Sequence, residues 1–176
     1  YSIPAYRDHL ASRDNKQTIM LGFSDGTKDG GYLRANWSIF RAKEELTRIS
    51  REFGIIALFF DGRGGPPARG GGNTHDFYAS LGNTIENEEV QITIQGQTIS
   101  SNYGKEVSCR YNLEQLISAG VESSVFPERV HSFSVEEKTL LDDLANAGYE
   151  AYLTLKHHPK FVPYLEKVTP LPFFGD

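Results

Sequence analysis

Two short apolar runs separated by one long amphipathic stretch constrain this chain more than any other feature in it. Thr18 to Phe23 reads as a buried strand stopped by Ser24-Asp25-Gly26, and Ile55 to Phe60 reads as a second buried strand. Between them, Leu33, Trp37, Phe40, Glu44, Leu46, Ile49 and Phe53 recur at three- and four-residue intervals, the period of a helix of about six turns. Its opposite side would carry Arg41, Lys43, Glu45, Arg48 and Arg51, and Gly54 suits the position just past its end. Strand, long helix, strand implies parallel neighbours, because a crossover of that length returns the chain in the same direction. In parallel sheets the loops leaving the C-terminal strand ends share one face, where ligands bind. The loops Ser24–Gly31 and Asp61–Gly72 are therefore expected to converge.

Beyond this unit the pattern is plainer. A short helix is expected through Tyr6–Leu10, another over Thr74–Leu81 capped by Asn73, and further helices over Asn112–Val121, Val135–Lys156 and Lys160–Lys167. A third strand is expected at about 90–95 after the acidic turn Glu86, Glu88, Glu89, followed by a polar loop from Gly96 to Gly104. Single-domain size follows from 176 residues, enough to bury roughly 70% of the extended-chain surface. The missing initiator Met at Tyr1 and the apolar, proline-bearing end Thr169–Asp176 suggest a piece of a longer protein.

Chemistry concentrates after the two strands. Leu58 to His75 holds six glycines, two prolines and two arginines. A chain that accepts so costly a run needs backbone N–H groups near something, and Arg63 and Arg69 make an anion the natural partner. A flexible surface loop is the competing reading. No Gly-Lys-Ser/Thr follows, so it is not a P-loop, and the dinucleotide fingerprint is out of place. Two arginine–glycine clusters also raise nucleic acid as a partner, but a net charge of −5 lacks the basic face that phosphate neutralisation requires.

The earlier loop, Ser24-Asp-Gly-Thr-Lys-Asp-Gly-Gly31, pairs a carboxylate, Asp25, with an ammonium three residues on, Lys28. That suits a metal ligand beside a substrate-anion contact. Equally, it reads as a double Asp-Gly turn with a helix cap at Asp29. An EF-hand is excluded, since position 12 would be Asn36 and the preceding element is a strand. His75 suits a surface or capping role, and His157-His158 a solvated helix end. Cys109, the single cysteine, excludes an internal disulfide framework and fits a core position in a reducing compartment. No apolar run approaches the ~20 residues of a membrane span.

With both loops in view, the chain resembles the phosphoenolpyruvate carboxylase family. The resemblance rests on Met20-Leu-Gly-Phe-Ser-Asp-Gly-Thr-Lys-Asp-Gly-Gly31 (family GYSDS-x-KDAG) and Phe60-Asp-Gly-Arg-Gly-Gly65 (family FHGRGG). Ala68-Arg-Gly-Gly-Gly72 (family GRGG), Thr93-Ile-Gln-Gly-Gln-Thr-Ile99 (family QGE-x-I) and Trp37 through Leu46 (family W-x-x-Y-x-A-Q-E-x-L) add to it. It runs from Thr18 to Val121 and continues more loosely through Phe161-Val-Pro-Tyr-Leu.

The resemblance implies an α/β fold, a partial (β/α)8 barrel segment with added helices. The whole of residues 1–176 would form one segment of the family's C-terminal catalytic region. It implies carboxylation of phosphoenolpyruvate by bicarbonate to oxaloacetate and phosphate, with Mg²⁺ or Mn²⁺, in a cytoplasmic homo-oligomeric enzyme, a tetramer. It assigns the metal to Asp25. Lys28 would hold bicarbonate or a phosphoryl oxygen, Arg63 the phosphoryl group, and Arg69 would serve carboxylation from a mobile loop whose glycines, Gly64 and Gly70 among them, lie against substrate. No nucleic acid and no membrane partner is implied. Asp61 departs from the pattern, standing where the family carries histidine. The family's second metal carboxylate, its carboxyphosphate-assisting histidine and its later arginines have no counterpart in the sequence, so the chain alone is expected to be inactive, a folded segment with at most weak anion binding.

Overall fold

The computed structural model describes residues 1–62, 73–126 and 132–174, with only the backbone at 174. Among them three strands, β1 (Lys16–Leu21), β2 (Ile56–Asp61) and β3 (Val90–Ile92), form a parallel sheet in the order β1-β2-β3. The register pairs Leu21 with Asp61 and Asp61 with Ile92. All three strands thus end at one level, and the ladder runs one step beyond it, with Gly62 N donating to Leu21 O at 3.0 Å and Thr93 N to Asp61 O at 3.1 Å. Parallel pairing is as expected, but the third strand is shorter than 90–95.

Eight helices accompany the sheet among the described residues: α1 (Pro4–Ala11), α2 (Phe23–Gly30), α3 (Tyr32–Glu52), α4 (Thr74–Ala79), α5 (Gln97–Tyr103), α6 (Glu106–Val125), α7 (Val135–Lys156) and α8 (Phe161–Val168). A 3₁₀ turn follows at Leu171–Phe174. None is long and apolar enough to cross a membrane. The core lies on one face of the sheet, where Ala57 and Phe59 of β2 meet Tyr78, Leu81, Ile85 and Ala119, with Ile19, Leu21, Val90 and Ile92 packed around them. The opposite face is only partly covered: Leu58 is buried, whereas Met20 is 63% and Ile56 41% exposed. The expectation of a fully buried first strand is therefore corrected, since β1 is an edge strand with only alternate residues turned to the core.

Three other expectations change. Residues 24–30 belong to helix α2 and are not a loop, despite Gly26 in its interior, a residue that disfavours helix by about 1 kcal/mol. Packing overrides propensity here: Phe23 is buried edge-on against Phe77 at 5.6 Å, Gly26 lies against Ala35, and Thr27 Oγ1 donates to Phe23 O at 2.9 Å. Gly31, at φ 74°, breaks α2 from α3 with the Tyr152 ring 3.3 Å from where a Cβ would stand. Residues 97–103 are helix rather than loop, because Gly96 at φ 61° turns the chain and α5 packs on α6, with Asn112 Nδ2 donating to Asn102 O at 3.2 Å. Their polar composition carries no apolar period to announce it. α6 begins at Glu106, six residues before the expected start, with that carboxylate in its first turn.

The long helix is present at the expected length, and Gly54, at φ 67°, ends it. Its buried line is only partly the expected one: Trp37 is buried, and Phe40 and Leu46 pack against the core. Leu33 and Phe53 are exposed, while Ala35, Lys43, Thr47 and Ser50 turn inward. A second flank meets α7, where Trp37 Nε1 donates to Asp142 at 2.6 Å, Lys138 bridges to Glu44 at 2.6 Å and Arg34 donates to Asn146 at 2.6 Å. A helix between a sheet and another helix buries two sides, so an apolar-stripe reading misplaces it. α7 spans its expected residues, and Ser134 and Glu137 form a reciprocal capping box at its start. Ser134→Ala is expected to lower stability by about 1 kcal/mol, read as a shift in the chemical-denaturation midpoint at unchanged slope.

Candidate active site

The site is built from the aligned strand ends. β1 stops at Leu21, Gly22 caps α2, and Asp25 falls in that helix's first turn. Its Oδ2 lies 3.1 Å from where a Cβ on Gly22 would stand, so the carboxylate folds back over the helix start. Unpaired N–H groups and the helix dipole favour a negative charge there. Lys28 follows at i+3, on the same side of α2, where residues so spaced have Cβ atoms about 5–6 Å apart. Both side chains are exposed. The backbone beneath them is held from α7, since Tyr152 Oη donates to Lys28 O at 2.6 Å and Lys156 Nζ to the same oxygen at 3.2 Å. Lys156 also lies 3.7 Å from Asp29. Carboxylate and ammonium thus stand one helical turn apart, just beyond the end of β1.

The glycine-rich stretch leaves from the neighbouring strand end. A Cβ on Gly62 would stand 3.0 Å from Leu21 O, a tight contact that glycine avoids where the two chains approach. The two segments thus follow adjacent strand ends, with the rest of the second lying outside the described residues. Arg63, Gly64, Arg69 and Gly70 lie outside the described residues. The stretch ends where Asn73 caps α4, its side chain accepting from His75 N at 3.2 Å. The His75 ring lies 3.4 Å from Glu122 and 3.4 Å from Asp76, in keeping with a capping and surface role.

Asp61, the departure from the motif, is not an open anion at the mouth. It is 0% exposed, turned to the helix-covered face, and its Oδ2 accepts from Lys43 Nζ at 2.7 Å and Tyr78 Oη at 2.9 Å. Lys43 is 1% exposed and its ammonium stands over the rings of Phe59 and Phe77 at 5.1 and 5.5 Å. Placing Lys43 on the solvent side of α3 is thus corrected: it occupies the centre of the buried line. Among the described residues Asp61 Oδ1 has no hydrogen-bond partner. Lys43 and Tyr78 are the residues that sequence reasoning passed over. A signal was present, because Lys43 stands where the W-x-x-Y-x-A-Q-E-x-L motif carries Gln, so the chain departs from pattern on both sides of one ion pair.

Among the described residues no three His, Cys, Asp or Glu side chains cluster as a metal site. Asp25 offers one carboxylate, whereas Mg²⁺ takes an octahedral set, so these residues do not compose a metal centre by themselves.

Taken together, the fold and site define an α/β protein with a parallel sheet, whose C-terminal edge presents a carboxylate, an ammonium and the start of a glycine-rich segment side by side. The phosphoenolpyruvate carboxylase family profile matches residues 1–176. The chain is 36% identical to the phosphoenolpyruvate carboxylase of Mycobacterium leprae over 174 residues, 98% of this chain and 19% of that protein. It is 36% identical to that of Corynebacterium diphtheriae over 176 residues, 100% of this chain and 20% of that protein. Against that of Nitrosomonas eutropha it is 35% identical over 173 residues, 97% and 18% respectively. The chain belongs to the phosphoenolpyruvate carboxylase family and spans about a fifth of the length of the curated relatives it matches.

Proposed function

We propose that this chain is a segment of the catalytic region of an enzyme that carboxylates phosphoenolpyruvate with bicarbonate, giving oxaloacetate and phosphate. One observation supports the reading: Leu21, Asp61 and Ile92 end at a common level, so the helix carrying Asp25 and Lys28 starts beside Gly62, after which Arg63 and Arg69 follow in the sequence. Both substrates and both products of this route are anionic, and an ammonium and two guanidiniums fit substrates whose charge concentrates as phosphoryl transfer proceeds. In this reading Lys28 holds bicarbonate or a phosphoryl oxygen, and Arg63 holds the phosphoryl group. Arg69 favours capture of CO₂ by the enolate over its loss to water, with Gly64 and Gly70 allowing close approach. Asp25 supplies one carboxylate to Mg²⁺ or Mn²⁺, and the remaining ligands come from elsewhere in the longer protein. The three parallel strands and their partly covered face are in keeping with a portion of a (β/α)8 barrel, residues 1–176 forming one segment of that domain. A cytoplasmic homotetramer is the assembly that goes with this reading.

The test is oxaloacetate formation by the full-length protein from phosphoenolpyruvate, bicarbonate and Mn²⁺. Asp25→Asn is expected to raise the Mn²⁺ concentration for half-maximal activity by at least about tenfold, because a charged ligand becomes neutral. An unchanged Mn²⁺ requirement removes Asp25 from the metal. The chain on its own is expected to show no turnover above background, having one metal carboxylate of those required.

A further inference from the structure

We propose that Lys43 and Asp61 act as one buried positioning unit. Its role is to let an acidic residue end β2 at the rim of an anion-binding mouth without adding a net negative charge there. The electrostatic arm rests on the carboxylase reading above; the pairing itself does not.

The reasoning starts from burial. A carboxylate with no exposure cannot be neutralised by water, so its charge is carried by whatever faces it. From α3 that is the Lys43 ammonium at 2.7 Å, and from α4 the Tyr78 hydroxyl at 2.9 Å, both on Oδ2. The strand neighbours in register, Leu21 and Ile92, carry no charge. Among the described residues Oδ1 has no donor, and Lys43 is the cation that pairs with this carboxylate. Lys43 is fixed in turn by the aromatic rings of Phe59, Phe77 and Tyr78 around its ammonium, at 5.1, 5.5 and 5.9 Å. The residue after Asp61 is Gly62, whose N–H joins β2 to the end of β1 from which α2 departs. The pair therefore sits where the end of β2 is bonded to the end of β1, and its charge balance bears on both the backbone there and the local potential. It also accounts for the departures at 43 and 61 together: the acid is tolerated at the rim because the lysine faces it.

Removing one charge must then be worse than removing both. In the full-length protein, Lys43→Met leaves a buried carboxyl with no counter-ion. Its proton affinity rises, so in this variant the carboxyl is neutral at low pH and ionises as pH rises. The folded-state pKa then lies above the unfolded one, and stability is lost with rising pH. Thermal melts from about pH 5.5 to about pH 8.5 are expected to show Lys43→Met falling by several degrees relative to wild type as pH increases. Wild type and the double variant Lys43→Met/Asp61→Asn stay parallel. At the upper pH, KM for phosphoenolpyruvate in Lys43→Met is expected to rise on the order of tenfold, the effect of one uncompensated charge near ~10 Å at an effective dielectric of ~20. Salt reduces the increase and Asp61→Asn in the same chain reverses most of it.

A purely steric role for Lys43 gives a pH-independent defect that the second substitution does not repair, and that result overturns the proposal. Should Lys43→Met fail to fold, the double variant decides: recovery of folded protein supports the unit, and failure of both refutes it. If wild type forms no oxaloacetate, the carboxylase reading fails while the melts still judge the pair. If wild type is active and the two substitutions simply add, the pair fails alone.

Discussion

Lys28→Ala is expected to reduce oxaloacetate formation by the full-length protein on the order of 10²–10³-fold in kcat, with a smaller change in KM for phosphoenolpyruvate. The magnitude is that of removing one preorganised donor from a site where charge accumulates in the transition state, and kcat registers it because the need for the ammonium is greatest there. The fold is expected to survive. The Lys28 side chain is exposed, and what Tyr152 and Lys156 grip is its backbone oxygen, which alanine retains. Steady-state kinetics alongside a melting curve check both halves. A normal kcat would take Lys28 out of the chemistry, and a collapsed melt would make it structural.

Phe59→Ala should produce the largest stability loss of any single truncation in the sheet, about 3–5 kcal/mol. Phe59 is 1% exposed, sits in the middle of β2 between Ile19 and Val90, and belongs to the core with Tyr78, Leu81 and Ile85. Its ring is also one of those around the Lys43 ammonium, so truncation leaves a cavity and loosens the buried pair at once. These losses share partners and are not expected to add as independent terms. Urea unfolding of the full-length protein, compared with Phe59→Leu, separates them, since leucine keeps most of the volume and none of the ring. A loss below about 2 kcal/mol would mean that the site collapses around the missing ring.

How far the chain could be read before its structure follows from which signals are local. Period and punctuation are local, so the parallel unit, the length of α3, its end at Gly54, the Asn73 cap and α7 could all be located from neighbours a few residues apart. α2 and α5 could not. Their sequences are rich in glycine, serine and asparagine and read as loops, and they pack on partners outside their own span: Phe77 and Tyr152 for α2, and Asn112 of the following helix for α5. Asp25 and Lys28 were legible as a chemical pair, and the helix adds that they share one side of it.

The sequence by itself determined the family and the direction of the strands, because motif spacing and hydrophobic period are written along the chain. Only the tertiary structure decided the status of Asp61. Along the chain it is an acid out of place, eighteen residues from a lysine that helical period assigns to solvent. The packing of α3 between the sheet and α7 turns that lysine inward, and at 2.7 Å the two charges become one neutral pair. Where a charge finds its counter-charge is a matter of distance in space, and the two motif departures become a pair only when the fold brings them together.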